Sequence, residues 1–542
     1  MSLRDDLATL IRGDVSTDTD DLAKHSRDTS IFQILPRVVV YPKDPADVAA
    51  TVRYAHDTGI PLAARAAGTD MTGGPLTDSI ALSFTRYMNH ISLVGPDFVI
   101  TQPGVFYRDL EKETLTVSNA IIPSYPASRE LAALGGMIGN NSGGELTLRY
   151  GKTDRYVQEL EVVLADGSMA TFKPLTAAER AAKEQEQTFE GQVYQRMRTL
   201  VEQNSDDIQR AKPMVSKNSA GYALWDVQHD DMFDLTKLIV GSQGTLGIVT
   251  KAKLGLVTLK KHRQMMVMFL NDIHDLPEVV RRVMKYDPES FESYDDQTFK
   301  LAVRFLPQII GHFGIVKILR LGLAFIPELR MVLTGGVPKL ILMAEFAEDS
   351  HEAAFAKAQE ARHLLADLPV QTKLARGEMD SKKYWIIRRE AFALLRKNLQ
   401  GLYASPFIDD CVVPIESYPT FIPALNSLLK QYDLIYTIQG HIGNGNFHII
   451  PLMDLSNENA RTTILELTPK VYDLVAQFDG STTGEHNDGI IRTPYLNTMF
   501  SPRMLELFAE TKRIFDPKNI LNPGKKVGGT TSDIEKYMIK SR

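Results

Sequence analysis

The stretch Gly135-Gly136-Met137-Ile138-Gly139-Asn140-Asn141-Ser142-Gly143-Gly144 places five glycines within ten residues, the densest glycine run in the chain. Glycine costs conformational entropy on folding, so a chain usually keeps such a run where something must lie against its backbone. Two more glycine-rich segments, 65–74 and 241–250, occupy the same half of the chain. Together the three segments predict one large, flat, polar ligand.

The regions around these segments predict a mixed fold. Residues 37–42 read as a strand, 44–58 as a helix that starts at Asp44-Pro45, and 59–64 as an apolar strand. Beyond residue 258, strands at 264–270 and 339–346 alternate with helices at 275–285 and 352–366. This pattern is typical of an α/β or α+β protein with a second layered unit in its C-terminal half.

Segment 65–74 is rich in small residues, which lets backbone N–H groups approach an anion. It is neither the G-x-G-x-x-G of a dinucleotide-binding turn nor a P-loop, because no Gly-Lys-Ser/Thr follows. Taken alone, it fits a plain turn as well as a phosphate cradle.

A second motif runs from His441 to His448 (HIGNGNFH) and is followed by Gly484-Glu485-His486. Asn444-Gly445 is typical of a two-residue I′ turn, which would place His441 opposite His448 with Cβ atoms about 5 Å apart. Both imidazoles could then hold one metal ion, with Glu485 as a third ligand and His486 free to take a proton. Unrelated core or surface histidines are the alternative that the spacing leaves open.

Composition narrows the class of protein. A chain of 542 residues predicts two to four domains, and its net charge of −6 gives no basic stripe for nucleic acid. Cys411 is the only cysteine, so no intrachain disulfide forms and a reducing compartment is indicated. The charged start lacks the apolar core of a secretory signal. We therefore expect a cytoplasmic protein.

Residues 301–333 combine many apolar side chains with mostly basic charges. Such a segment can lie in a membrane interface, which would make the protein peripheral on the inner face of the membrane. A buried helical insert or a homodimer contact is the alternative. No stretch reaches the length of about 18 apolar residues that a membrane span needs.

The motifs, taken in their order along the chain, resemble those of the flavin-dependent 2-hydroxyacid dehydrogenases in the vanillyl-alcohol-oxidase superfamily. This family includes D-lactate dehydrogenase, the glycolate oxidase large subunit and D-2-hydroxyglutarate dehydrogenase. The resemblance covers residues 36–257 and 338–527. It implies an α+β fold: a two-subdomain PCMH-type FAD-binding domain, an α/β substrate (cap) domain with an antiparallel sheet, and a C-terminal segment that returns to the FAD domain. The implied boundaries are 1–35 for an N-terminal helical segment, 36–257 for the FAD domain, 258–495 for the cap domain with an apolar-basic insert at 301–336, and 496–542 for the C-terminal segment that packs on the FAD domain.

The resemblance also implies site residues. The predicted FAD contacts are Arg65, Ala66, Ala67, Gly68, Thr69, Asp70, Thr72, Gly73, Gly74, Pro103, Gly104, Pro126, Gly135, Gly136, Ile138, Gly139, Asn140, Asn141, Ser142, Gly143, Gly144, Tyr150, Gly151, Gly244, Gly247, Ile248, Val249 and Asn522. Segment 217–222 fits a family segment near the flavin. His441, His448 and Glu485 would hold a divalent metal, zinc or else iron or manganese. His486 would act as acid–base and Arg388 would bind the substrate carboxylate.

Three positions refine these expectations. Thr69 stands where covalent members carry a histidine, so we expect non-covalent FAD. Asn487-Asp488 replaces the glycine that commonly follows Glu-His, so Asp488 could perturb the metal or His486. Phe407-Ile408 occupies a stretch where dicarboxylate users place a lysine, which favours a substrate with a small or apolar tail.

The expected reaction is oxidation of a D-2-hydroxyacid to the 2-oxoacid, with electrons passed to an external acceptor. Quinone, a cytochrome, an electron-transfer flavoprotein and oxygen all fit that role. Two alternatives stay open: a non-redox flavoenzyme like alkyl-dihydroxyacetone-phosphate synthase, and a catalytically silent FAD-binding electron-relay subunit. The chain lacks the consecutive histidines of the first and keeps the metal histidines that the second tends to lack.

Overall fold

The computed structural model describes residues 2–296, 298, 337–398 and 401–540. The predicted interfacial segment 301–333 lies outside these described residues. Within them, no helix is both long and apolar enough to cross a membrane.

The strands of the described chain follow in order. They are β1 (Asp14–Ser16), β2 (Val38–Tyr41), β3 (Leu62–Arg65), β4 (Ile80–Ser83), β5 (Ile91–Val94), β6 (Phe98–Thr101), β7 (Val157–Val163), β8 (Met169–Phe172), β9 (Leu175–Thr176), β10 (Gln228–His229), β11 (Met232–Phe233), β12 (Ile248–Gly255), β13 (His262–Leu270), β14 (Ser290–Asp295), β15 (Leu340–Glu348), β16 (Gln371–Leu374), β17 (Tyr403–Ala404), β18 (Cys411–Val412), β19 (Ile435–His441) and β20 (Asn446–Met453).

The α-helices of the same residues are numbered likewise. They are α1 (Leu3–Leu10), α2 (Thr19–His25), α3 (Pro45–Thr58), α4 (Tyr107–Ser118), α5 (Leu134–Asn140), α6 (Thr147–Tyr150), α7 (Ala177–Glu184), α8 (Phe189–Gln203), α9 (Ser205–Arg210), α10 (Thr236–Ile239), α11 (Leu276–Met284), α12 (His351–His363), α13 (Glu378–Asn398), α14 (Tyr418–Leu429), α15 (Glu458–Gln477), α16 (Gly489–Arg492), α17 (Pro502–Phe515) and α18 (Thr531–Tyr537).

The N-terminal sheet has the order β1-β2-β4-β3, and β4 runs parallel to both β2 and β3. Helix α3 connects β2 to β3. Asp44 caps its start through a bond from Asp47 N, and Gly59 ends it at φ +70°. An acidic cap, proline in the first turn and a left-handed glycine are standard helix boundaries. The predicted strand–helix–strand beginning is confirmed.

A second sheet, β5-β6-β12-β7-β8, is antiparallel throughout. Helix α17, from the C-terminal part of the chain, adds Phe508 and Phe515 to the core that this sheet shares with α8. Leu521 then forms a parallel bridge to Leu62 in the first sheet. The C-terminal segment therefore returns to the N-terminal half, as expected.

The largest sheet has the order β16-β13-β15-β14-β19-β20-β17, with β18 also paired to β20, and all of its strands are antiparallel. One face packs on α11, α12, α14 and α15. The opposite face packs on α13 through Tyr384 and Ile387. The rest of that second face carries polar side chains from β14, β19 and β20, and these face a cavity.

The hairpin between β19 and β20 corrects the predicted turn. His441 pairs with Asn446, so the loop has four residues instead of two, and the predicted pairing of His441 with His448 is wrong. A I′ turn needs positive φ at both central residues. Here residues 442–444 form a 3-10 turn and only Gly445 is left-handed, at φ +72°. The loop is also tied to its surroundings, because the Gly445 oxygen accepts a bond from Val413 N.

Candidate active site

A cavity of about 840 Å³ lies between the glycine-rich segments and the polar face of the large sheet. One wall is backbone from segments 65–74, 135–143 and 242–249. The other carries side chains of α13, β14, β19, β20 and the turn 484–486. The glycine run and the histidine motif, far apart in sequence, therefore face the same space.

The glycine wall has room for a flat ligand. Gly136 and Gly139 both lie in α5 and line the cavity. A Cβ added at either would meet no protein atom closer than 3.7 and 3.9 Å, and neither residue has positive φ. Protein packing and backbone strain therefore do not demand glycine here. The open space beside them is the cavity, and a side chain would occupy it.

The small-residue loop after β3 is held by Asp70. Its Oδ2 accepts bonds from Thr72 N and Gly74 N at 2.9 and 2.8 Å, and its Oδ1 accepts from Asn140 Nδ2 at 2.7 Å. The loop is thereby fixed to the end of α5. Two of the three glycine-rich segments form one rigid wall.

At the other end of the cavity, three imidazoles converge on one carboxylate oxygen. Glu485 Oε1 lies 3.2 Å from His441 Nε2, 3.5 Å from His448 Nε2 and 3.8 Å from His486 Nε2. The other oxygen, Oε2, accepts a bond from the buried Lys217 Nζ at 3.0 Å. Lysine thus orients the carboxylate and leaves Oε1 towards the three rings.

Carboxylates stand behind all three histidines. Glu292 Oε1 is 2.6 Å from His441 Nδ1, while the two oxygens of Asp409 lie 3.1 Å from His448 Nδ1 and 3.0 Å from His486 Nδ1. A proton held at Nδ1 by a carboxylate directs the Nε2 lone pair away from it, which is how metal-binding histidines are usually oriented.

The pKa values of this cluster depend on its neighbouring charges. Burial would raise the pKa of Glu485, but Lys217, His441 and His448 lower it well below its usual value. Burial would likewise lower the pKa of His448, but Asp409 raises it to about 10. If the imidazoles were neutral with their protons on Nδ1, their Nε2 lone pairs would face the ionised Oε1 of Glu485 and repel it. A proton or a metal ion between these atoms removes the repulsion.

The spacing of these atoms fits a metal ion. Ligand atoms bound to one tetrahedral ion at 2.0–2.2 Å lie about 3.4 Å from each other. The separations of Glu485 Oε1 from His441 and His448 bracket this value. The ligand atoms of Asp410, His448, Glu485 and His486 lie within 4.8 Å of one another, a group that does not include His441. Asp410 Oδ2 already accepts bonds from Thr483 Oγ1, Glu485 N and His486 N, and its Oδ1 accepts one from Asn446 Nδ2.

Beside the histidine cluster, Arg388 of α13 points into the cavity. Its Nη1 donates to Gln439 Oε1 at 2.7 Å, and its Nε lies 3.3 Å from Glu292 Oε2. Trp385, one turn earlier on α13, also lines the cavity. A guanidinium beside these histidines suits a carboxylate ligand.

Comparison with known proteins agrees with this arrangement. Residues 36–173 match the family model "FAD binding domain", and residues 259–526 match "FAD linked oxidases, C-terminal domain". The chain belongs to the FAD-linked oxidase family. The two matched regions contain the glycine wall up to residue 143 and every histidine of the cluster.

Among the relatives of this chain, the D-2-hydroxyglutarate dehydrogenase of Pantoea ananatis (strain AJ13355) is 27% identical over 95% of the chain. The chain spans about half the length of that relative. The D-lactate dehydrogenase of Archaeoglobus fulgidus is also 27% identical, over 90% of the chain and 91% of its own length. The structure of 4-ethylphenol oxidase from Gulosibacter chungangensis superposes with a TM-score of 0.68, covering 96% of the chain and 95% of the other, at 16% identity. This last likeness concerns the fold.

Most of the predicted FAD contacts line the cavity. They are Arg65, Ala66, Ala67, Gly68, Thr69, Asp70, Gly74, Pro103, Pro126, Gly135, Gly136, Ile138, Gly139, Asn140, Ser142, Gly143, Gly244, Gly247, Ile248 and Val249. Arg388, His441, His448, Glu485 and His486 line it too. The open wall at Gly136 and Gly139 fits the flat isoalloxazine of FAD.

Eight other predicted FAD contacts do not line the cavity. They are Thr72, Gly73, Gly104, Asn141, Gly144, Tyr150, Gly151 and Asn522. Asn522, for example, donates to the Gly74 and Gln243 carbonyls and joins two loops of the wall. Gly104 and Gly144 lie against neighbouring backbone that a Cβ would strike.

Asn487 and Asp488, which depart from the family pattern after Glu-His, bond to the glycine-rich part of the chain. Asn487 Nδ2 donates to the Gly241 and Asn140 carbonyls. Asp488 Oδ2 accepts from Gly221 N and pairs with Lys526 at 2.8 Å. The two residues therefore join the turn at 484–486 to the glycine-rich segments. These contacts of Asp488 give no support to its expected effect on the metal or on His486.

Sequence reasoning assigned no role to Glu292, Asp409 and Gln439, which the fold places beside the histidines and Arg388. Glu292 lies on β14, Gln439 on β19, and Asp409 in the loop just before β18. Period-2 alternation around His441 points to Gln439, and residues 409–414 resemble the family's acidic strand before a proline, but Glu292 stands in no motif. Phe407 and Ile408 no longer favour a substrate with a small or apolar tail, because both side chains are buried in the core and neither lines the cavity.

Proposed function

We propose that this chain is an FAD- and metal-dependent dehydrogenase that oxidises a D-2-hydroxyacid to the 2-oxoacid. The observation that carries the proposal is the single cavity that has a glycine wall at one end and the histidine–carboxylate cluster with Arg388 at the other. Relatives that carry the names D-lactate and D-2-hydroxyglutarate dehydrogenase support the substrate class.

The residues that would hold the two cofactors follow from the geometry. The glycine wall would hold FAD, and His441, His448 and Glu485 would hold the divalent ion, zinc or else iron or manganese. We propose that FAD is bound without a covalent link, because Thr69 lines the cavity at the position of the attachment histidine. Bound FAD supplies the hydride acceptor, and the ion lowers the pKa of the substrate hydroxyl.

The protein's own groups then have distinct tasks. Arg388 binds and orients the substrate carboxylate through its fork of N–H groups. His486 is the most exposed of the three histidines, with 19% of its side chain accessible, and its Nε2 is the farthest from Glu485 Oε1. It is therefore the ring available to take the hydroxyl proton. Asp409 at Nδ1 holds this ring and stabilises it once it is protonated.

The test is anaerobic mixing of the purified holoenzyme with D-lactate, longer D-2-hydroxyacids and D-2-hydroxyglutarate, with L-lactate as the control. We expect at least one D-2-hydroxyacid to bleach the visible absorbance of oxidised FAD, and L-lactate to leave it. A protein that stays oxidised with every D-2-hydroxyacid would contradict the proposal. Electrons then pass to an external acceptor such as a quinone or a cytochrome.

A further inference from the structure

Gln439 presents a fixed amide group to the cavity. It lies on β19 two residues before His441, on the same face of the strand, and only 2% of it is exposed. Its Oε1 accepts a bond from Arg388 Nη1 at 2.7 Å. A guanidinium can only donate, so the oxygen must face Arg388 and the NH2 group must face elsewhere.

The NH2 group has no partner among the described residues. Gln439 Nε2 is buried and donates no hydrogen bond to a described residue. Nearly all buried polar side-chain atoms are paired, and leaving a donor unpaired costs free energy comparable to a lost hydrogen bond. The residue lines the cavity, so a ligand atom is the partner that the geometry allows.

The surroundings of Gln439 define the chemistry of that ligand atom. Cross-strand pairing places the residue beside His448, and its amide oxygen touches Arg388. Glu292, Asp409 and Glu485 also line this end of the cavity and would repel an anion. A substrate carboxylate therefore needs more than one donor to bind here.

We propose that Gln439 is a substrate-binding residue whose Nε2 donates a hydrogen bond to the carboxylate of the 2-hydroxyacid, beside Arg388. This inference rests on the proposed function, because it takes the substrate carboxylate to lie at Arg388. The amide has two roles at once: its oxygen aligns the guanidinium, and its nitrogen adds the second donor.

The test uses pyruvate, the product of D-lactate oxidation, as a ligand that cannot be oxidised at this centre. Its Kd is measured on the holoenzyme from the change in the visible absorbance of FAD. Gln439→Leu should weaken pyruvate binding about tenfold or more, the effect of one hydrogen bond to a charged group. Content of FAD and metal should stay at the parental level.

Gln264→Leu is the matched control. Gln264 is also a buried glutamine of the large sheet, but its Nε2 donates to the Ala375 carbonyl at 2.9 Å and it does not line the cavity. Pyruvate binding should be unchanged in this variant even if its stability falls.

A double-mutant cycle with Arg388→Met separates direct binding from alignment of Arg388. If Nε2 touches the substrate, Gln439→Leu weakens pyruvate binding further in the Arg388→Met background. No further loss there, or a parental Kd for Gln439→Leu alone, overturns this inference and leaves the proposed function standing. A parent enzyme that neither binds pyruvate nor is reduced by any D-2-hydroxyacid overturns both.

Discussion

Asp410 shows how a single carboxylate organises the site. It accepts bonds from the side chains of Asn446 and Thr483 and from the backbone N–H groups of Glu485 and His486. These four bonds join the hairpin of β19 and β20 to the turn at 484–486. They explain why Glu485 and His486 point at the cavity. Three of the four bonds fall on Asp410 Oδ2, and Oδ1 accepts the one from Asn446.

At the residue scale, His486 is the base in our proposal. His486→Asn should slow reduction of FAD by the substrate by roughly 10²–10⁴-fold, because general-base catalysis contributes that much. The KM should change far less, because Arg388 still binds the carboxylate. Stopped-flow measurement of flavin reduction checks this, with the exposed His274→Asn as the control. An unchanged reduction rate would remove His486 from the mechanism.

A second residue-scale prediction concerns stability and pH. Burial raises the pKa of Glu345 from 4.5 to about 7, although Trp385 Nε1 donates to its Oε1 at 3.1 Å. Between these two values the unfolded chain is ionised while the folded one keeps its proton, so this group makes the fold less stable as pH rises.

Glu345→Gln removes that titration and keeps an oxygen for Trp385. The melting temperature of the variant, relative to the parent, should therefore rise between pH 4.5 and about 7 and then level off. Thermal unfolding of both proteins at several pH values measures the difference. A difference that is flat across this range would show that Glu345 titrates normally.

At the scale of elements, the sequence predicted which segments meet but not how they meet. The boundaries of α3 and the strands β13 and β15 follow from local signals such as caps and apolar runs. The register of the β19–β20 hairpin does not, because packing of Gly445 against Val413 overrides the local preference of Asn-Gly for a two-residue turn. His441 and His448 still share a face, with ring centroids 5.2 Å apart.

The glycines of α5 give a prediction at this scale. Gly139→Ala should yield protein with little bound FAD, because the new methyl group enters the space where the flavin would lie. The apoprotein should be as stable as the parent apoprotein or more so, since alanine is favoured over glycine in helices by about 1 kcal/mol. The ratio of flavin to protein absorbance and the melting temperature measure the two effects.

Gly255→Ala is the matched control for this variant. Gly255 lies in β12 outside the cavity, and an added Cβ would meet its nearest neighbour at 3.4 Å. It should keep parental flavin content. Parental flavin content in Gly139→Ala as well would argue against the proposed position of FAD.

At the scale of the whole molecule, the site forms because parts of the chain that are distant in sequence line one cavity. The wall comes from residues 65–249, the histidines from 441–486, and Lys526 near the end of the chain pairs with Asp488. Motif order in the sequence was enough to predict the family and about half of the residues that line the cavity. It could not predict Glu292, Asp409 or Gln439, whose roles arise from strand pairing and from packing across the sheet.

The chain matches about half the length of a D-2-hydroxyglutarate dehydrogenase and nearly the full length of a D-lactate dehydrogenase. Among the described residues that line the cavity near the histidines, Arg388 is the cation available for a substrate carboxylate. A monocarboxylate such as D-lactate is therefore the first substrate to test.

We propose that a metal ion at His441, His448 and Glu485 is needed to move electrons from a 2-hydroxyacid to FAD. The direct measurement is anaerobic reduction of FAD by the best D-2-hydroxyacid, before chelation, after removal of metal, and after zinc, iron or manganese is returned. We predict that the untreated protein is bleached, that metal-free protein stays oxidised while retaining FAD, and that one of the ions restores reduction. Metal-free protein that is reduced at the untreated rate would contradict the account.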